Sequence, residues 1–223
     1  VIDHVGAQIV LVDTLPGSYQ IDPDAVAAAI TARTKAIIPV DIAGVMCDYG
    51  RLLGIVEEKR GLFQPKGDLQ AALGRALVLA DAAHSFGSRR DGIVSGGYAD
   101  FSAFSFHAIK NLTTAEGGAL TWREIEGVDD EEIYTQLMLL SLHGQSKDAL
   151  AKIQNPGSWE YDIAFPGYKC NMTDIMAALG SVQLRRFPGL TNRRAEIVRL
   201  YDELLKGAPI QVLRHSGEGF EGN

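Results

Sequence analysis

QIVLVDTLPGSYQIDPDAVAAAITARTKAIIPV, Gln8 to Val40, alternates between two kinds of local preference. Gln8–Val12 and Ala36–Val40 are short apolar, β-branched runs, as expected of buried strands. Between them Asp22 is a good helix N-cap and Pro23 suits the first helical position. An alanine-rich stretch then runs to Thr31. Strand, helix and strand at this spacing read as a βαβ unit, and hence as an α/β fold with a parallel sheet.

The alternation continues on the C-terminal side. Helices are expected over 49–59 and 69–74, and a buried strand over Ala76–Ala80 that runs straight into Asp81. Further strands are expected over Phe101–Phe106 and Ala119–Trp122. A helix is expected over 131–143, with Gly144 placed to cap it. Two more follow, one over 173–186 with Thr173 as N-cap and one over 190–206. Gly61–Asp68 and Asn155–Gly167, rich in Gly, Pro and polar residues, read as loops. Phe187-Pro188-Gly189 is the expected boundary between a large domain, 1–187, and the start of a smaller C-terminal α+β domain, 188–223. The chain opens at Val1 in an apolar stretch and stops after Gly222-Asn223, so it reads as a piece of a longer protein, incomplete at both ends.

The 223 residues include 46% hydrophobic side chains, enough for a sizeable core. A net charge of -7 argues against a nucleic-acid surface. No apolar run reaches membrane-spanning length, and no signal-peptide pattern opens the chain. Cys47 and Cys170 form no CxxC pair and read as two reduced thiols of a cytoplasmic protein. P-loop, GxGxxG, HExxH and GxSxG patterns are absent, and Asp81, His84 and His107 have no recognised metal-ligand spacing.

Residues able to do chemistry concentrate between Val78 and Gly118. Asp81 follows an apolar strand, and ligands of open parallel sheets bind beyond the carboxyl ends of strands. A carboxylate there can meet a cation such as a protonated ring nitrogen, or can merely cap a turn. His84, three residues on, can stack on a flat ring or serve as a structural histidine. Lys110 leaves a hydrophobic strand rather than a charged helix face, and a partly desolvated lysine can be a nucleophile. On its own it could equally be a solvated surface charge. Ser105 can donate to a phosphate, and the glycines of TTAEGG, Thr113–Gly118, permit close backbone approach.

Four stretches in order carry a resemblance over nearly the whole chain. They are TARTKAIIPVDIAGVMCD (Thr31–Asp48), VLADAAHSFG (Val78–Gly87), FSFHAIKNLTTAEGGA (Phe104–Ala119) and GYKCNMTDIMAALGSVQL (Gly167–Leu184). They resemble the DegT/DnrJ/StrS family of sugar aminotransferases, pyridoxal-phosphate (PLP) enzymes of fold type I. The nearest likeness is to enzymes that aminate the 4-keto carbon of a nucleotide-linked sugar, including the one that makes 4-amino-4-deoxy-arabinose. The resemblance implies a mostly parallel central sheet flanked by helices. It makes Lys110 the Schiff-base lysine, pairs Asp81 with the pyridinium nitrogen, places His84 beside the ring and assigns Ser105 to the phosphate.

Lys169 falls where many relatives have Asn, at a position that reaches the phosphate of a neighbouring subunit, which implies a homodimer with shared sites. The implied reaction is ping-pong transfer from an amino acid, with glutamate the expected donor, to a nucleotide-linked keto-sugar. Asp41 stands where relatives often have His, and Asn171 where many have Arg. The family's N-terminal phosphate loop and ring-stacking aromatic residue have no counterpart in this stretch. Two rivals share the fold: a sugar dehydratase, whose relatives carry His in place of Lys110, and a non-catalytic regulatory protein. A third reading within the family is a synthase that forms rings of aminated aromatic precursors.

Overall fold

In the computed structural model, described for residues 1–145 and 162–222, α1 spans Pro23–Ala29. The side chain of Asp22 accepts from the Asp24 N–H, and Pro23 occupies the first turn, so the expected start is the observed one. Asp48 caps α2 (Tyr49–Glu58) through the Arg51 N–H, and Gly74 closes α3 (Asp68–Leu73) in a left-handed conformation that glycine adopts without steric cost.

The main sheet has four strands: β1 (Ala36–Ile37), β2 (Leu77–Asp81), β5 (Phe101–Ser105) and β6 (Gly118–Trp122), in the order β1-β2-β5-β6. β2 lies parallel to both β1 and β5, with Asp81 in register with Ala103. β6 is antiparallel to β5, pairing Phe101 with Trp122 and Ser105 with Gly118. The short connection from β5 to β6 contains no helix, and only an antiparallel neighbour can be reached that way. Tyr49, Leu52 and Val56 of α2 are buried with Val78 and Ala80 of β2, which forms the core behind the sheet.

Three expectations change. Gln8–Val12 forms no strand: Ile9, Val10 and Leu11 are exposed, and no partner among the described residues satisfies a ladder there. The strand expected over Ala36–Val40 shortens to Ala36–Ile37, with Val40 joining Asp81 in an isolated parallel bridge. The two helices expected beyond Thr173 are one, Asp174–Leu204, which runs through Pro188. Proline removes one helical hydrogen bond there, and the neighbouring Phe187 packs on Phe86 with ring centroids 5.1 Å apart.

A second small sheet was not foreseen. β3 (Arg89–Arg90) and β4 (Ile93–Val94) form a hairpin around Asp91-Gly92, both with positive φ, and β7 (Ser216–Gly217) with β8 (Phe220–Glu221) extends it in the order β4-β3-β8-β7. The Asp-Gly pair between Arg90 and Ile93 is the turn signal that could have announced it.

The chain divides into two compact units, 1–123 with 175–223, and 124–174. The second unit contains α4 (Asp130–Ser141), capped by Asp129, with Ile125 and Ile133 buried. The long helix Asp174–Leu204 is α5. Residues 155–161 of the expected Asn155–Gly167 loop lie outside the described residues. Among the described residues, no helix is long and apolar enough to cross a membrane.

Candidate active site

β2 delivers Asp81 at its C-terminal end, and the chain turns at once through Ala82-Ala83-His84-Ser85. The backbone of Asp81 is held on both sides: its N–H donates to the Pro39 carbonyl at 2.9 Å, and its carbonyl accepts from the Asp41 N–H at 3.0 Å. Its carboxylate accepts from the Ala83 N–H at 3.2 Å. On the neighbouring strand Ser105 closes β5, and its hydroxyl accepts from the His107 N–H at 3.3 Å.

Lys110 lies on the turn that follows β5. The ends of that turn are tied by Phe106 N–H to Gly117 O at 2.8 Å and Thr114 N–H to Phe106 O at 2.9 Å, while Leu112 and Thr114 are buried. Gly118 is required at the strand junction, because a Cβ there would lie 2.5 Å from the Phe104 carbonyl oxygen. Lys110 makes no ion pair among the described residues, unlike His107, whose Nε2 approaches Glu116 at 3.6 Å.

Phe86 joins the two chemistry-bearing segments. It packs edge-to-face on Phe104 at 5.4 Å and on Phe106 at 5.5 Å, which holds the loop carrying His84 against the strand that leads to Lys110. Such pairs contribute about 0.5–1.5 kcal/mol each beyond the area they bury. Asn111 adds a long hydrogen bond at 3.5 Å from its amide to the His84 carbonyl. His84 and Lys110 therefore line one cavity of about 220 Å³, with Ala43, Ile109 and Asn111 as the other walls. Asp81 and Ser105 stand at the adjoining strand ends and do not line it.

Ala43 was not foreseen as part of the site. Its backbone N–H donates to His84 Nδ1 at 3.2 Å, and it has a left-handed φ of 54° next to Gly44, also left-handed. A non-glycine residue in that region signals a tertiary constraint that no local pattern discloses.

Lys169 belongs to the second unit. It is exposed, forms a backbone bridge with Leu142, and donates from Nζ to Asn171 Oδ1. Among the described residues no cluster of three or more His, Cys, Asp or Glu could hold a metal ion. Cys47 is buried and Cys170 exposed, both as free thiols.

Comparison with known proteins places these features in a wider group. The model of the DegT/DnrJ/EryC1/StrS aminotransferase family matches residues 1–219. The spore coat polysaccharide biosynthesis protein SpsC of Bacillus subtilis (strain 168) is 40% identical over 206 residues, which cover 92% of this chain and 48% of SpsC. Spr1654 from Streptococcus pneumoniae, solved in PMP, PLP and apo forms, superposes in its PMP form with a TM-score of 0.94 at 52% identity, over 99% of this chain and 55% of that one. The sugar aminotransferase CalS13 from Micromonospora echinospora follows with a TM-score of 0.77 and 28% identity, over 99% of this chain and 55% of that one. The chain thus spans about half the length of the relatives it matches.

Proposed function

Because the chain belongs to the DegT/DnrJ/EryC1/StrS aminotransferase family, we propose that it forms the central part of a PLP-dependent enzyme that aminates a nucleotide-linked keto-sugar. Glutamate is the amino donor in this reading, and polysaccharide biosynthesis the setting, in keeping with the name of SpsC. The observation that carries it is the shared cavity of His84 and Lys110, beside the strand ends that present Asp81 and Ser105.

The residues present suit the cofactor. Asp81 offers a carboxylate at the carboxyl end of a parallel strand, where it would hold a protonated ring nitrogen. Ser105 offers a hydroxyl for the phosphate, and His84 a flat ring beside the cavity. Lys110 Nζ is the amine that would hold the cofactor covalently. When bound, PLP supplies an electron sink for the charge that develops as a carbon loses its proton.

The chain's own part is acid–base work and positioning. In each half-reaction Lys110 Nζ takes the proton from the reacting carbon of one partner and returns it to the other, as base and then as acid. Asp81 presents its carboxylate from the end of β2 toward the ring. Ile109 and Ala43 border the cavity beside Lys110 and His84. Lys169, exposed on its own unit, is assigned to the cofactor phosphate in a second copy of the chain, so a homodimer with shared sites belongs to the proposal. A cytoplasmic location and nucleotide-sugar and amino-acid substrates complete it. The division at residue 187 into a PLP-binding domain and the start of a smaller one is part of the same reading.

The test is to incubate the protein with PLP, reduce with borohydride, digest, and locate the pyridoxyl label by mass spectrometry. Label on Lys110, absent from Lys110→Ala, is the expected result. Label at another lysine, or the same labelling in Lys110→Ala, overturns the assignment.

A further inference from the structure

Asp41 is fully buried yet lies next to the site. Its Oδ1 accepts from the Cys47 N–H at 2.9 Å and from the Tyr49 hydroxyl at 2.7 Å, and its Oδ2 accepts from the Ser85 hydroxyl at 2.6 Å. The Ser85 hydroxyl in turn meets that of Ser95 at 2.7 Å. Ionised, the carboxylate faces hydrogen-bond donors and forms no ion pair among the described residues. Taking such a group out of water is costly, and an apolar side chain of similar size would often serve stability as well. Its geometry accounts for its presence.

The residues it grips lie on either side of His84. One is Ser85, the next residue in the chain. Another, Cys47, belongs to the turn that starts at Asp41 itself: the Asp41 carbonyl accepts from Gly44 at 3.1 Å, the carboxylate takes the Cys47 N–H, and the Ser88 hydroxyl donates to the Gly44 carbonyl at 2.6 Å. That turn holds Ala43 in its left-handed conformation, so that its N–H meets His84 Nδ1. An N–H donor can only be met by an unprotonated nitrogen. The neutral imidazole therefore carries its proton on Nε2, which leaves Nε2–H as the donor free to serve an occupant of the cavity.

We propose that Asp41 is a positioning residue that selects the tautomer and orientation of His84 by clamping Ser85 and the Ala43 turn together. Its consequence for catalysis rests on the reading of the His84–Lys110 cavity as a cofactor site.

The experiment is ¹⁵N NMR of the His84 ring in the full chain without cofactor, followed by PLP titration read by fluorescence and by the absorption band of the bound cofactor. The wild type is expected to show a single neutral tautomer, protonated at Nε2. Asp41→Asn and Ser85→Ala are expected to show both tautomers. Tyr49→Phe also loses a buried hydrogen bond to Asp41, but one made from α2 rather than from the Ser85 loop or the Ala43 turn, and is expected to lose stability and keep the wild-type tautomer. PLP should bind Asp41→Asn about tenfold more weakly than wild type, with an altered band, as is common when a group supporting a binding residue is removed. Should Asp41→Asn fail to fold, Ser85→Ala carries the comparison. An unchanged tautomer in the folded variants, or an equal loss in Tyr49→Phe, overturns the proposal. A shifted tautomer together with no PLP binding by the wild type upholds the positioning role and overturns the cofactor reading instead.

Discussion

Asp81 and Ser105 end the two adjoining parallel strands at the centre of the sheet, and Ser105 lies two residues beyond Ala103, the register partner of Asp81. Two residues of strand amount to about 7 Å. A carboxylate and a hydroxyl at that stagger can address opposite ends of a flat, phosphorylated ring, with His84 and Lys110 on the cavity beside them.

The role of Asp81 leads to a graded expectation. Asp81→Asn keeps the size and the contact to the Ala83 N–H but removes the charge that would hold a ring nitrogen protonated. Loss of one preorganised electrostatic contact of this kind costs on the order of a hundredfold in kcat. Transamination half-reaction rates, followed by cofactor absorbance, should fall by that order while the borohydride label remains on Lys110. Unchanged rates would remove Asp81 from the mechanism.

Gly118 pairs with Ser105 across β5 and β6. Gly118→Ala would place a methyl group 2.5 Å from the Phe104 carbonyl oxygen, and backbone cannot yield there as a flexible side chain would. Overpacking of this sort costs about 1–3 kcal/mol. Urea denaturation should show that loss, and the pyridoxyl label on Lys110 should diminish, because the strand end that leads to Lys110 is displaced.

Away from the site, Asp100 is the group on which local stability depends. It is buried, takes two hydrogen bonds from the Arg75 guanidinium at 2.7 and 2.8 Å, and accepts from the Val78 N–H at 2.8 Å. Asp100→Ala leaves the largely buried Arg75 guanidinium with only Glu57 and the Ala76 carbonyl, and the buried Val78 N–H unmatched, which should cost about 3 kcal/mol in denaturation experiments. Replacing both partners with apolar residues, as in Arg75→Met with Asp100→Leu, should cost less than Asp100→Ala alone.

The pH dependence of stability has a definite sign at Asp41. Burial raises its carboxyl above the ordinary 3.8, against the lowering effect of the bonds from Ser85, Tyr49 and Cys47. The folded state therefore binds the proton more tightly than the unfolded chain. Stability contributed at this residue is greatest below 3.8, falls as pH rises through the higher folded value, and is constant above it. Asp41→Asn has nothing to titrate there. The wild-type stability minus that of Asp41→Asn, measured by urea denaturation across this window, should fall with rising pH. A difference that rises would contradict the raised carboxyl.

Local chemistry made much of this protein legible from its residues alone. Asp22-Pro23 and Asp48 start their helices because a side-chain oxygen satisfies a free N–H within a few positions, whatever lies elsewhere. The strand 77–81 ends in Asp81 because an apolar run of that length suits a buried position, and Lys110 stood out because it leaves such a strand. Other features depended on distant partners. Gln8–Val12 has a strand's composition without a ladder to join, since hydrogen bonds between strands are made by another segment. The helix crosses Pro188 against the local rule, and Phe187 beside it meets Phe86, a partner more than a hundred positions earlier. Ala43 and His84 lie 41 positions apart, and only folding brings an N–H to an imidazole nitrogen. The residue types and their spacing along the chain determined which side chains could do chemistry; the tertiary structure decided which of them share a cavity, because cavities and tautomers are set by contacts between segments that carry no record of each other in sequence.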